Sequence, residues 1–511
     1  MNAIARIWKP INKFLNQNEI NSIITVSLLF ISSYTAIVTL LGQNFLNPLA
    51  DHDSPAKKNE TVRTIFVIFI LLFAGLFATR TSKLLRLPQL FGCLLIGILI
   101  RNIEVLNQFF ELPPFLETMI RKVALTMIVI RWGLATDLHF LFRNSITPVS
   151  IALISVIGEI IAVTAASFFI LNISFIMSVF CALILVIVSP AVTVPSMISF
   201  KEAGLGEMKK IPENVLAVCC VDNLFCVILF MVLSSIVFTD ASISTTILLN
   251  IGTILLGIFG GLLIGFILWI FPQSNTPNTE LTRVLLIGTI SISLMIGTYL
   301  IKYSCSGFIS TLIISSMCSM KWKSNHELKT IESTFKFIWE SFALPLLFIC
   351  LGIKFQFSTL TLEIVLLCIS VISIGLLVRT VFVMAVTHFS KFNFNEKIVI
   401  ALSLLPRATF QADLAPTLLI MATPFPDKAK DAELIMKAAI LSVLVTAPIF
   451  DILLNLVGRK CLKRNDSQVA PLAEESFLNL NRRSNNGTFV ENSSSRRTNT
   501  NDLNGTFVEK C

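Results

Sequence analysis

Five ionisable residues stand inside otherwise apolar stretches of this 511-residue chain, and their types suggest ion or proton handling. Asp222 lies in Cys219-Cys220-Val221-Asp222-Asn223-Leu224, and Glu159 in Ser155-Val156-Ile157-Gly158-Glu159-Ile160-Ile161. Arg379 lies in Leu376-Leu377-Val378-Arg379-Thr380-Val381, while Arg407 and Asp413 share the segment from Leu405 to Pro416. A charge in hydrocarbon surroundings costs several kcal/mol, so such a residue marks an ion path, a proton relay or an ion pair. Asp222 can alternate between holding a cation and holding a proton. Glu159 and Arg379 have opposite signs, and the sequence predicts that they pair. Whether that pair moves a proton or only fixes helix packing is left open by the residues alone.

Two proline-punctuated segments flank these charges. The first is Val188-Ser189-Pro190-Ala191-Val192-Thr193-Val194-Pro195-Ser196, and the second is Leu405-Pro406-Arg407-Ala408-Thr409-Phe410-Gln411-Ala412-Asp413-Leu414-Ala415-Pro416. Proline removes a backbone donor and interrupts a helix, which frees carbonyls and half-helix ends to face an ion. Pro190, Pro195, Pro406 and Pro416 are therefore read as helix-breaking residues of a transport site. An ordinary proline kink is the plainer alternative for either segment alone. Their equivalent placement in two halves of the chain favours the functional reading.

The elements that carry these residues are membrane helices. Hydrophobic residues make up 54% of the chain and charged ones 14%, and the mean hydropathy is +0.81. A soluble domain carries about 25% charged residues. The 41 Phe against 3 Tyr point the same way. A net charge of +9 forms no basic patch for nucleic acid, because the Lys and Arg residues sit between apolar runs. The 11 Cys show no framework spacing and read as small core hydrophobes. No metal-ligand spacing, cofactor motif or enzymatic constellation is present, and the first apolar run reads as an uncleaved anchor.

A spanning helix needs roughly 20 apolar residues, which yields about fourteen candidates. They lie near 21–42, 63–82, 87–101, 117–136, 147–171, 174–198, 212–237, 244–271, 283–301, 304–320, 334–354, 360–389, 394–421 and 432–457. Loops on the side of the N-terminus hold about 20 Lys and Arg and the opposite loops about 8, which places both termini in the cytoplasm. Spans two to seven and nine to fourteen make two inverted six-helix repeats, with both broken helices at the fifth position and Glu159 and Arg379 on the fourth. The expected fold is thus an all-α polytopic membrane protein with crossed broken helices. Residues 1–20 form a cytoplasmic segment, 21–62 an extra helix with an outer loop, 63–458 the transport domain, and 459–511 a disordered tail. The tail repeats Asn-Gly-Thr-Phe-Val-Glu at 486–491 and 504–509, either as a duplicated linker or as a docking motif for a cytoplasmic partner.

In this order the motifs resemble the monovalent cation:proton antiporter superfamily, and most closely the animal NHA sodium/proton antiporters. The resemblance covers roughly residues 60–465 and rests on Ile100-Arg101-Asn102, Ala124-Leu125-Thr126 with Arg131-Trp132-Gly133-Leu134, and Ser189-Pro190-Ala191-Val192 with Val194-Pro195-Ser196-Met197. It continues through Leu405-Pro406-Arg407-Ala408-Thr409 and Thr446-Ala447-Pro448-Ile449. It implies an NhaA-like fold, a homodimer in the plasma membrane, and an elevator-type movement of a core domain past a scaffold. It also implies Na⁺ or Li⁺ bound in exchange for H⁺, with Asp222 as the first carboxylate of the family's aspartate pair, Glu159 as its glutamate and Arg379 as its basic residue.

Three departures from that pattern matter. The second aspartate is Asn223, which offers a carbonyl oxygen but no titratable proton. The basic residue of the second crossover, often Lys, is Arg407, which stays charged. Asp413 replaces a small residue and is a candidate for the missing carboxylate. The leading expectation is Na⁺(Li⁺)/H⁺ exchange at Asp222, with Asn223 and Thr193 as neutral oxygen ligands. The alternatives are proton-coupled anion (Cl⁻) transport through Arg379 and Arg407, and a transport-silent sensor whose tail binds partners.

Overall fold

The structure is a computed structural model that describes residues 30, 56–85, 87–239, 242–272, 278–322 and 328–464. Segment 1–20, nearly all of the run 21–42, and the tail beyond 464 with its repeated motif lie outside the described residues. Every regular element among the described residues is helical.

Sixteen helices matter for the site. They are α1 (Ala56–Leu84), α2 (Gln89–Asn102), α3 (Pro114–Ala135), α4 (Ile146–Ile170), α5 (Phe175–Val186), α6 (Pro190–Glu202), α7 (Ile211–Val237) and α8 (Ile243–Ile270). There follow α9 (Thr279–Leu300), α10 (Ser304–Trp322), α11 (Leu328–Ile338), α12 (Leu344–Ile353), α13 (Leu362–His388), α14 (Phe394–Ser403), α15 (Thr409–Ala422) and α16 (Pro426–Cys461). A π-turn at Trp339–Ala343 joins α11 to α12. By length and composition nine spans among the described residues could cross a membrane: α1, α4, α5 with α6, α7, α8, α9, α11 with α12, α13, and α16. The other apolar runs among the described residues are also helical. However, α2 has only 14 residues, α3 carries Glu117, Arg121, Lys122 and Arg131, α10 is diluted by serines, and the run 394–421 is split into α14 and α15.

Within residues 56–463 the helices pack as two sets. In the first, α1, α2 and α12 pack together, α8 and α9 lie on α10, and α3 touches α9, α10, α11 and α12. In the second, α4 is packed by α5, α7 and α13, and α16 gathers α5, α6, α13, α14 and α15. The sets meet where α3 touches α6 and α15, and where α7 touches α8 and α10. The outer face of α8 exposes Leu248, Leu255, Phe259, Leu263 and Phe266, an apolar surface that suits hydrocarbon and not water.

Close helix contact in the first set depends on small residues. A Cβ on Gly352 of α12 would lie 2.8 Å from the Cα of Gly97 on α2, and the reverse is also true. There is no flexible side chain there to move aside, because the neighbours are backbone atoms. Gly352→Ala is expected to push α2 and α12 apart and to cost about 1–3 kcal/mol, read as a lower unfolding temperature of the detergent-purified protein. Unfolding at the wild-type temperature would show that the two helices are not held this close. On α8, Gly257 lies against the backbone of Ser306, and the Ser310 hydroxyl donates to the Gly257 carbonyl at 2.9 Å. No disulfide joins the described cysteines, and nine of them are buried.

Candidate functional site

The site is built on the second set, where two chain breaks cross. Pro190 occupies the first turn of α6, where a missing N–H costs least. A continuous helix would instead have needed that N–H for the carbonyl of Val186, four residues earlier. The Val186 carbonyl accepts from an Arg407 Nη1–H. Other backbone groups released by the break also find partners, as burial demands. Ser189 N donates to the Pro406 carbonyl at 2.8 Å, which ties one broken segment to the other. Gln411 Nε2 donates to the carbonyls of Ile184 at 2.8 Å and Ile187 at 2.9 Å. In the second break, Thr193 Oγ1 donates to the Ser403 carbonyl at 2.9 Å, and Arg407 N donates to Thr446 Oγ1 at 3.0 Å. The Ser189 and Thr409 hydroxyls lie 3.3 Å apart.

Two of the sequence-picked prolines, Pro190 and Pro406, stand at the unwound segments. Pro195 and Pro416 lie within α6 and α15, so those helices resume before their second proline. Of the two breaks, 187–189 joins α5 to α6 and 404–408 joins α14 to α15.

Asn223 holds the first break open. Its Oδ1 accepts from Val188 N at 3.1 Å and its Nδ2 donates to the Val188 carbonyl at 2.9 Å. A carboxylate could accept from the first group but could not donate to the second. The Asn at this position, one residue beyond Asp222, is therefore matched to a backbone that presents both a donor and an acceptor. Thr193 spends its proton on Ser403 and keeps its oxygen lone pairs.

Around the crossing, four charges from four elements converge. Glu159 of α4, Asp222 of α7 and Arg379 of α13 are buried, as is Arg407 of the second break. Arg379 Nη1 lies 3.4 Å from Glu159 Oε2, so the pair anticipated from the sequence does meet. Arg379 also forms an ion pair with Asp222 through its other terminal nitrogen. The shorter partner of Glu159 is Arg407, at 2.7 Å from Nη2 to Oε1. The order is thus Asp222–Arg379–Glu159–Arg407, formally neutral. One arginine sits between the two carboxylates, and each has an ionic partner. Such burial is tolerable only because each charge is matched; removing one partner strands the other in a low-dielectric interior.

Asp413 is placed elsewhere. It lies inside α15, not in the unwound segment, and its carboxylate is engaged by Lys122 of α3 at 3.0 and 2.8 Å. The helical start at Thr409 turns Asp413 toward the first set of helices, so it is not gathered into the four-charge chain. Sequence reasoning also passed over Lys122 and Gln411. Lys122 reads as an interfacial lysine near the start of a span; an Asp413 with no partner assigned is the signal that could have led to it. Among the described residues, no group of three His, Cys, Asp or Glu is gathered that could hold a metal ion.

Comparison with known proteins adds the following. A model of the family described as sodium/hydrogen exchanger, transmembrane, matches residues 68–457. Sodium/hydrogen exchanger 9B1 of Homo sapiens is 30% identical over 411 residues, covering 78% of this chain and 79% of that protein. Sodium/hydrogen exchanger 9B2 of Xenopus tropicalis is 29% identical over 415 residues, covering 79% and 76%. The structure of the sodium proton antiporter MjNhaP1 from Methanocaldococcus jannaschii at pH 8 superposes with a TM-score of 0.62 at 17% identity. It covers 79% of this chain and 99% of that one, a likeness in fold.

Proposed function

Because the chain belongs to the transmembrane sodium/hydrogen exchanger family, we propose that it is a secondary transporter, not an enzyme, and exchanges Na⁺ or Li⁺ for H⁺ at Asp222. The observation that carries this reading is the arrangement of the four charges beside two crossing helix breaks. Asp222 has one ionic partner, Arg379, and that partner has a second carboxylate, Glu159, within reach.

Three species can therefore compete for Asp222: the Arg379 guanidinium, a monovalent cation and a proton. When a cation arrives, Arg379 falls back on Glu159 and stays paired, so no bare charge is left in the core. A proton on Asp222 displaces Arg379 in the same way. Arginine does not give up its proton, so Asp222 alone loads the cargo in this cluster. One carboxylate takes one Na⁺ or one H⁺, which makes the exchange one-for-one and electroneutral. The remaining cation ligands are neutral oxygens, from Thr193 and Asn223 and from carbonyls of the unwound segments.

The wider architecture follows from the same reading. There are fourteen crossings: the run 21–42 is an extra first one, the eighth is a linker, and the other twelve form two inverted six-helix repeats. The breaks are at equivalent positions, both termini are cytoplasmic and the transport domain is at 63–458. The second helix set carries the ion by sliding past the first, and the first provides the face for a homodimer in the plasma membrane. The tail at 459–511 is left for a cytoplasmic partner.

Reconstitution into proteoliposomes tests the function. An imposed Na⁺ or Li⁺ gradient is expected to drive proton movement, and Asp222→Asn is expected to lower it to the rate of empty liposomes. Asn keeps the shape and removes the charge, while Arg379 retains Glu159, so the variant is expected to fold. Proton movement that follows Cl⁻ and ignores Na⁺ and Li⁺, or that survives in Asp222→Asn, would overturn the assignment.

A further inference from the structure

Beside the four-charge chain the structure contains a second buried ion pair, Lys122–Asp413, that the exchange chemistry above does not use. The Lys122 side chain is 3% exposed and that of Asp413 is fully buried. Their location distinguishes them. Lys201–Glu213, Lys209–Glu396 and the four-charge chain all join elements of the second helix set, while Lys83–Glu340 and Lys354–Glu117 join elements of the first. Lys122 stands on α3 of the first set and Asp413 on α15 of the second, so this pair crosses from one set to the other.

Asp413 is also rigidly connected to the site. It lies four residues into α15, which starts at the second break, and six residues beyond Arg407. Any movement of the breaks relative to α3 must therefore act on this bridge. Around the bridge lies a small cavity with walls from both sets: Lys122 and Leu125 of α3, Tyr299 of α9, Phe410 and Leu414 of α15. The Lys122 ammonium also sits 5.3 Å from the centre of the Tyr299 ring, a cation–π contact that stays with the first set. The lysine thus has a partner on its own side when the carboxylate departs. The same cavity brings the two sets together through the apolar side chains of Val227, Met231, Met295 and Phe308, and α8 meets α7 through a neutral hydrogen bond from Asn250 Nδ2 to Ser235 Oγ at 2.6 Å. These contacts can break without leaving a charge unpaired.

We propose that Lys122–Asp413 is a latch between the two helix sets, which holds the present arrangement and must open in each transport cycle. Lys122 and Asp413 are positioning residues, acting on the site through α15, and neither carries the cargo. The proposal rests on the exchange reading above and on movement of one set past the other.

Cross-linking tests it directly. Opposed side chains as long as these set their Cα atoms too far apart for a disulfide, so a bifunctional methanethiosulfonate reagent is used on the Lys122→Cys/Asp413→Cys protein in proteoliposomes. Sodium-driven proton flux is expected to fall at least about tenfold on bridging, equivalent to about 1.4 kcal/mol, and to return on reduction. A second pair, Leu125→Cys/Leu414→Cys, joins the same two helices while leaving both charges in place, and serves if the first variant does not fold. Wild type treated identically is expected to keep its flux, since nine of the described cysteines are buried. Bridged protein, verified by mass, that transports as fast as the reduced protein would overturn the latch. So would a folded Lys122→Cys/Asp413→Cys protein without flux before bridging, because the pair would then belong to the ion-carrying machinery. Flux in untreated wild type reports the exchange reading separately.

Discussion

Replacing Glu159 by Gln is expected to destabilise this protein by several kcal/mol, well beyond the effect of Asp222→Asn. Glu159 accepts from Arg407 at 2.7 Å and lies 3.4 Å from Arg379. Without its charge, two buried guanidiniums are left with the single carboxylate of Asp222. Breaking a buried pair by removing one member costs about 3–5 kcal/mol, because the survivor stays desolvated. Asp222→Asn is milder, since Arg379 still has Glu159. The ranking is read from thermal unfolding in detergent, with Glu159→Gln lowest. Glu159→Gln/Arg407→Met is expected to recover part of the loss by deleting the stranded charge. Recovery is partial because the Val186 carbonyl then loses its donor. If Glu159→Gln unfolds at the wild-type temperature, the central position assigned to Glu159 is wrong.

The second large effect is expected for Asn223→Asp, which places a second carboxylate next to Asp222. The amide of Asn223 donates to the Val188 carbonyl at 2.9 Å. An ionised Asp puts oxygen against oxygen there, at a cost of about 1–3 kcal/mol for the unsatisfied acceptor. It also upsets the charge balance, because both arginines already have carboxylate partners. The added negative charge calls for a second proton or a cation. Transport is thus expected to change from electroneutral to charge-moving. Sodium-driven proton flux in liposomes clamped with K⁺ and valinomycin should ignore membrane voltage in wild type and respond to it severalfold in Asn223→Asp. A folded variant whose flux is as voltage-independent as wild type would count against the one-carboxylate stoichiometry.

Both experiments turn on residues whose partners were only partly visible in the chain. Glu159 and Arg379 were recognisable because an ionisable residue inside an apolar run calls for a partner, and their opposite signs suggested pairing. That Arg407 is the shorter partner of Glu159 was not recognisable. The contact joins residues 248 apart in sequence and exists because the two breaks cross. Asn223 read as a weakened ligand by analogy with an aspartate pair. In the fold its amide has a definite task, closing the hydrogen bonds of Val188, and that task explains why the residue is an amide.

Asp413 shows the same limit from the other side. Six residues beyond Arg407, it could have faced either helix set, depending on where the unwound segment ended. Helix α15 begins at Thr409, and that start directs Asp413 to Lys122. Nothing in the local sequence around Lys122 marks it as buried, because a lysine near the end of a span ordinarily reaches for the interface.

The sequence by itself determined the class of this protein: helical, membrane-spanning, interrupted at two proline segments, with Asp222, Glu159, Arg379, Arg407 and Asp413 in apolar surroundings. Those features depend on hydropathy and backbone chemistry, which act over one or two helical turns and are written locally. Tertiary structure decided which charge meets which, what Asn223 and Gln411 do for the broken backbone, and that Asp413 faces the other helix set. Those outcomes depend on how helices cross between residues 35 to 291 apart in the chain. A buried charge must find an opposite partner somewhere, but only packing selects which one.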